Sequence, residues 1–192
     1  MITYYHVSPN NIQIGDYLKK SYKNNNSLIQ KMQLSLNNSN IITFIKNTNE
    51  GYHGEYKETL LKNAVEVIMD EYRKKYFPSG KSRIDSLFLY KSMEEAIDFN
   101  SRWHKNQALI YTVNVPNGTQ KYNFSFFNYI CSEMKRFFIS ENVCVTDVIS
   151  KIEQWAYCYY SGANCHDEHQ ENIEYLCDDS VAIITGMVDK LF

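Results

Sequence analysis

The longest regular signal in the chain is an apolar stripe. Leu60, Leu61, Ala64, Val65, Ile68, Met69 and Tyr72 recur three and four residues apart between Tyr56 and Phe77. On a helix these positions share one face, with Lys and Glu on the other. A stripe of that length has to be covered by other elements, and Pro78-Ser79-Gly80 ends it. A second amphipathic helix is read over Thr146 to Tyr160, with Val148, Ile149, Ile152, Trp155, Ala156 and Tyr159 on one side and Ser161-Gly162 as its terminator. Asn128 to Phe138 is read as helical too. Between and around the helices lie short strand patterns: Ile2 to Val7, Asp85 to Tyr90 and Ala108 to Val115. Ile173 to Leu176 and Ser180 to Thr185 follow as two strands or one bent strand. Ser92-Met93-Glu94-Glu95 has the form of a capping box, opening a helix that carries Ala96, Phe99 and Trp103 inward. Strands and helices mix without a βαβ rhythm, so the expected class is α+β.

With 192 residues, the chain suits one domain spanning positions 1–192. Such a length buries roughly 70% of the unfolded surface and needs no staples. Positions 19–54 are rich in Asn, Ser and Lys and too poor in apolar residues for a core of their own, so they are read as an insertion or lid. The aromatic fraction of 15% argues against disorder. Twenty basic and 22 acidic residues give a formal charge of −2, which offers no field toward nucleic acid or a membrane. Five cysteines, an odd number without paired spacing, fit a reducing compartment. The first residues show no basic region followed by an apolar run, and no segment approaches the ~20 apolar residues that span a bilayer. A cytoplasmic protein is expected, although an effector exported without a classical signal would look the same.

Three segments carry the residues from which chemistry can be built. Tyr4-Tyr5-His6-Val7-Ser8 lies on the opening strand. Arg83-Ile84-Asp85-Ser86-Leu87-Phe88-Leu89-Tyr90 precedes Ser92 and the helix that begins Glu94-Glu95-Ala96. The third is Trp155-Ala156-Tyr157-Cys158-Tyr159-Tyr160-Ser161-Gly162, followed by Glu174-Tyr175-Leu176 and the apolar run Val181-Ala182-Ile183-Ile184. In this order the three resemble the ADP-ribosyltransferase superfamily, nearest to its small bacterial branches, over about a third of the chain. The resemblance implies a small split antiparallel or mixed sheet flanked by helices. It implies NAD as cofactor and the transfer of ADP-ribose to an acceptor.

By that resemblance each residue type has a reason. Breaking the bond from nicotinamide to ribose develops positive charge on the sugar, and a carboxylate stabilises it while holding a ribose hydroxyl. Glu174 takes this role. His6 binds the adenosine-side ribose, with Ser8 and Ser86 also on the cofactor-binding segments. Tyr90 stacks on the nicotinamide ring, with Tyr159 and Tyr160 as rivals. Arg83 meets the pyrophosphate, because a guanidinium pairs bidentately with phosphate oxygens. Asn172 stands where many protein-modifying members carry Glu or Gln. The acceptor is therefore open among protein, nucleic acid and small molecule, and a toxin, a phage-defence factor and a housekeeping modifier all fit.

Plainer readings exist for each residue. His6 can be a hydrogen-bonded structural histidine, Arg83 a surface ion-pair residue, Tyr90 a core plug and Glu174 a solvated residue on an edge strand. The same fold can also serve as an inactive nucleotide- or protein-binding module. A relative that removes a phosphate from RNA would want more basic residues. Cys158, Cys165, His166, His169 and Cys177 are soft ligands close in sequence, but they contain no Cys-x-x-Cys pair, and no metal is assigned. Only seven glycines are present, and none forms a phosphate-binding loop.

Overall fold

Residues Thr3–Ser8 pair in antiparallel register with Leu109–Asn114, Tyr4 opposite Val113 and His6 opposite Tyr111, as extended strands do. A computed structural model of the chain describes residues 2–19, 54–116, 118–139, 144–163, 173–178 and 181–188. The expected insertion or lid at 19–54 lies outside the described residues except at its two ends. Two units can be distinguished: Met1–Ser21, Lys81–Tyr122 and Ile173–Phe192 in the first, and Tyr22–Gly80 with Asn123–Asn172 in the second.

The first unit holds two small antiparallel sheets. One has the order β1 (Thr3–Ser8), β3 (Leu109–Asn114), β6 (Ile183–Val188). The other has the order β2 (Leu87–Leu89), β5 (Ile173–Cys177), β4 (Gln120–Asn123). Among the described residues four helices accompany them, so the class is α+β as expected. β4 was not foreseen, because Gln120-Lys121-Tyr122-Asn123 carries one apolar side chain and no legible alternation. Tyr4 on β1, Leu87 and Leu89 on β2, Tyr111 and Val113 on β3 and Ile184 on β6 converge in one buried cluster. Burying each such side chain contributes about 1.5–3 kcal/mol. The Tyr111 hydroxyl accepts from Ile12 N (2.9 Å) and donates to the Asn10 carbonyl (3.2 Å), so it pins the turn that follows β1.

Helix α2 (Met93–His104) starts at the expected capping box: the Ser92 hydroxyl accepts from Glu95 N, and Glu95 Oε2 accepts from Ser92 N. Ala96 is buried as read. Trp103 is not: it is 60% exposed. The inward row of α2 closes instead on buried Asn100. Its amide donates to the Ala108 carbonyl (2.9 Å) and accepts from Ala108 N (3.2 Å). The chain leaves the helix at Lys105 in the left-handed conformation, before any strand covers Trp103.

The second unit is helical: α1 (Gly54–Tyr76), α3 (Phe124–Ile139) and α4 (Val145–Ser161). The α1 stripe is buried as read from Leu60 to Met69, whereas Tyr72 at its end is half-buried; Asp70 is buried with the stripe, paired to Arg73 at 2.9 Å. Arg73 also donates to the Gly80 carbonyl and so closes the turn after the helix. Val148, Ile152, Ala156 and Tyr159 line the buried side of α4, and Gly162 ends it with φ 70. Trp155 stacks on Phe126 of α3 at 5.8 Å. Cys158 is disulfide-bonded, whereas the cysteine count had pointed to free thiols. Among the described residues no helix is long and apolar enough to cross a membrane.

Asn100→Leu leaves the buried Ala108 N–H and carbonyl without partners. Urea unfolding is expected to show a loss of about 1–3 kcal/mol. Trp103→Ala is expected to change stability by less than ~0.5 kcal/mol. Equal losses in the two variants would refute this account of α2.

Candidate active site

Strand β2 is three residues long, and the candidate residues gather around it. Before it, the chain makes a turn in which the Ser82 carbonyl accepts from Ser86 N (2.9 Å) and the Ser82 hydroxyl from Asp85 N (3.3 Å). Ser82 and Ser86 are buried, and the turn delivers Arg83 to the face of the strand. There the guanidinium carbon lies 4.9 Å from the centre of the Phe88 ring, within cation–π range. Its Nη1 donates to Glu174 Oε1 in an ion pair whose two side chains are 5% and 8% exposed. Arg83 is thus no surface residue.

Glu174 sits on β5, the middle strand of its sheet, and not on an edge. The antiparallel register runs Leu87–Cys177, Phe88–Leu176, Leu89–Tyr175, so the next step sets Tyr90 against Glu174. Leu87, Leu89 and Cys177 point into the core of the unit. The alternate positions Phe88, Tyr90 and Glu174 therefore share the other face. Burial raises the pKa of the Tyr90 hydroxyl well above its usual value, the Glu174 carboxylate raises it further and Arg83 opposes the rise. Tyr90 is neutral at any physiological pH. Its ring packs on Phe99 of α2 at 5.1 Å.

On the opposite side β2 meets β1. Tyr5 N donates to the Tyr90 carbonyl (2.8 Å) and Tyr90 N to the Tyr5 carbonyl (2.9 Å). His6 Nδ1 lies 3.1 Å from the Phe88 carbonyl. A carbonyl only accepts, so Nδ1 carries the proton and Nε2 keeps its lone pair. Burial lowers the His6 pKa, and the hydrogen bond to Phe88 only partly offsets this. The imidazole is neutral, with one nitrogen committed to the backbone and the other an acceptor.

His6, Arg83, Tyr90 and Glu174 thus lie on or beside one short strand. The remaining expected residues are placed differently. The Ser8 hydroxyl is occupied by its own turn, accepting from Asn10 N at 3.1 Å. Ser86 is only 2% exposed. Tyr159 and Tyr160 belong to the second unit: Tyr159 is buried in it, and Tyr160 stacks on Phe77 at 6.0 Å. Phe88 was quoted in the motif without a role, yet its ring supports the guanidinium. Its spacing of two from Tyr90 was the available signal. Asn172 lies outside the described residues.

The chain matches no family model and no curated protein.

Of the five cysteines and histidines of the alternative site, the described residues include two, Cys158 and Cys177. Cys158 is in a disulfide, Cys177 is in the core, and no group of three or more His, Cys, Asp or Glu stands close enough to hold a metal ion. Cys165, His166 and His169 lie outside the described residues.

The lowered His6 pKa has a consequence for stability. Below the ordinary value of 6.5 the unfolded chain binds a proton that the folded chain resists. Stability therefore rises with pH up to that value and then levels off. His6→Asn, which can keep a donor toward Phe88, is expected to flatten the part of the profile between about pH 5 and 6.5. Chemical unfolding across that window checks this, and parallel profiles for the two proteins would rule it out.

Proposed function

We propose that the chain is an NAD-dependent mono-ADP-ribosyltransferase-like enzyme that transfers ADP-ribose to an acceptor. The observation that carries the reading is the meeting at β2. A neutral imidazole from the first strand flanks it on one side, and a carboxylate from the late strand flanks it on the other, with Tyr90 at its end. These residues are far apart in sequence, and they are the types the resemblance requires.

Each group has chemistry that suits the reaction. When bound, NAD supplies a glycosidic bond to nicotinamide, and breaking it develops positive charge on the ribose. Glu174 provides a negative charge for that sugar and an acceptor for a ribose hydroxyl. His6 offers Nε2 as an acceptor for a hydroxyl of the second ribose. Tyr90, held neutral, offers a flat ring for the nicotinamide, and Phe99 sets the tilt of that ring. The engagement of Glu174 with Arg83 favours a second reading, a nucleotide-binding module of the same fold without turnover.

NAD hydrolysis and transfer of labelled ADP-ribose separate the two. Glu174→Gln is expected to lower turnover by about 100-fold or more while NAD still binds. Because one partner of a buried pair is removed, unfolding midpoints of both proteins accompany the assay; the expected loss is about 3–5 kcal/mol at most. NAD binding without turnover in the wild type supports the module. Neither binding nor turnover in the wild type would defeat both readings.

A further inference from the structure

The resemblance gives Arg83 to the pyrophosphate, but the geometry engages it elsewhere. Its guanidinium is held from two directions: its central carbon lies over the Phe88 ring, and Glu174 Oε1 accepts from Nη1. The turn that delivers it is closed by two hydrogen bonds through Ser82. A carboxylate as buried as that of Glu174 gains a proton readily unless an opposite charge stands beside it. An arginine is suited to be that charge, since it cannot release its proton in a protein and presents a planar fork.

We propose that Arg83 is the positioning residue of Glu174: clamped on Phe88, it fixes the carboxylate on the middle strand and keeps it ionised for the sugar. The proposal deepens the transferase reading and rests on it for its kinetic part. Other groups share this environment. Tyr90 feels both Glu174 and Arg83, and Glu95 acts on Tyr90 and on Tyr175. Among the described residues that act on Tyr90, Arg83 is the cation. The Phe88 platform also explains the residue type. A lysine would supply the charge without the flat stacking surface or the fork.

Two roles for Arg83 make opposite predictions. A pyrophosphate ligand acts on NAD affinity, whereas a positioning residue acts through the carboxylate. The test compares wild type, Arg83→Gln and Arg83→Lys. The Glu174 carboxyl carbon is followed by NMR in protein labelled at glutamate, with Glu174→Gln to assign the signal. NAD turnover is measured across pH. In Arg83→Gln the midpoint of the Glu174 signal is expected to rise by about one pH unit or more. The acid limb of turnover moves up with it, and kcat falls by at least about tenfold while KM for NAD stays within about twofold. Arg83→Lys restores the midpoint in part. An unmoved Glu174 midpoint, or a raised KM with kcat and the acid limb unchanged, would overturn the proposal. If the wild type does not turn over NAD, the transferase reading fails and the NMR midpoint alone decides the role of Arg83. Should Arg83→Gln fail to fold, Arg83→Lys and Phe88→Leu carry the same comparison: a midpoint raised in both supports the clamp, and one unchanged in both refutes it.

Discussion

A guanidinium and a carboxylate 91 residues apart meet in the first unit with almost no water around them. Desolvating two charges costs several kcal/mol each, and the pair recovers this only when geometry and supporting contacts are good. Both conditions depend on neighbours. The Ser82 turn sets where Arg83 begins, the Phe88 ring lies under its guanidinium carbon, and the central place of β5 sets where Glu174 stands. The β2–β5 register has to be the observed one, because a slip of one residue would send Glu174 into the core and Tyr175 to the other face. The ion pair is therefore weak evidence of stability and stronger evidence of specificity for one register.

β2 is short, and that brevity has a use. Three residues suffice to pair with β5 on one side, while the backbone bridge between Tyr5 and Tyr90 and the bond from His6 to Phe88 join β1 on the other. One segment thus ties the two sheets together and collects side chains from the start, middle and end of the chain. The capping box of α2 begins two residues beyond Tyr90, and α2 supplies the Phe99 ring against it. Local stop and start signals hold the polar face in place, while the apolar face anchors it in the core.

Much of the fold was legible. The α1 stripe, the Ser92 capping box, the Gly162 terminator and the strands from Thr3, Leu87 and Leu109 follow from periodicity and from cap chemistry, which are local properties. The errors have local causes as well. β4 has no pattern to read. Trp103 was assigned inward because its helical position agrees with Ala96, but the helix outruns what could cover it. For the site, His6, Arg83, Tyr90 and Glu174 were legible as residue types. Their surroundings were not, since burial and charge partners come from segments distant in sequence.

By itself the sequence determined most of the helices and strands and most of the side chains they turn inward, because spacing and caps act within a few residues. Tertiary structure alone decided that Glu174 is central and buried, that Arg83 pairs with it across a phenylalanine ring, and that His6 gives one nitrogen to the β2 backbone. These are long-range pairings. Their energies depend on the solvent excluded around them, and no single segment carries that information.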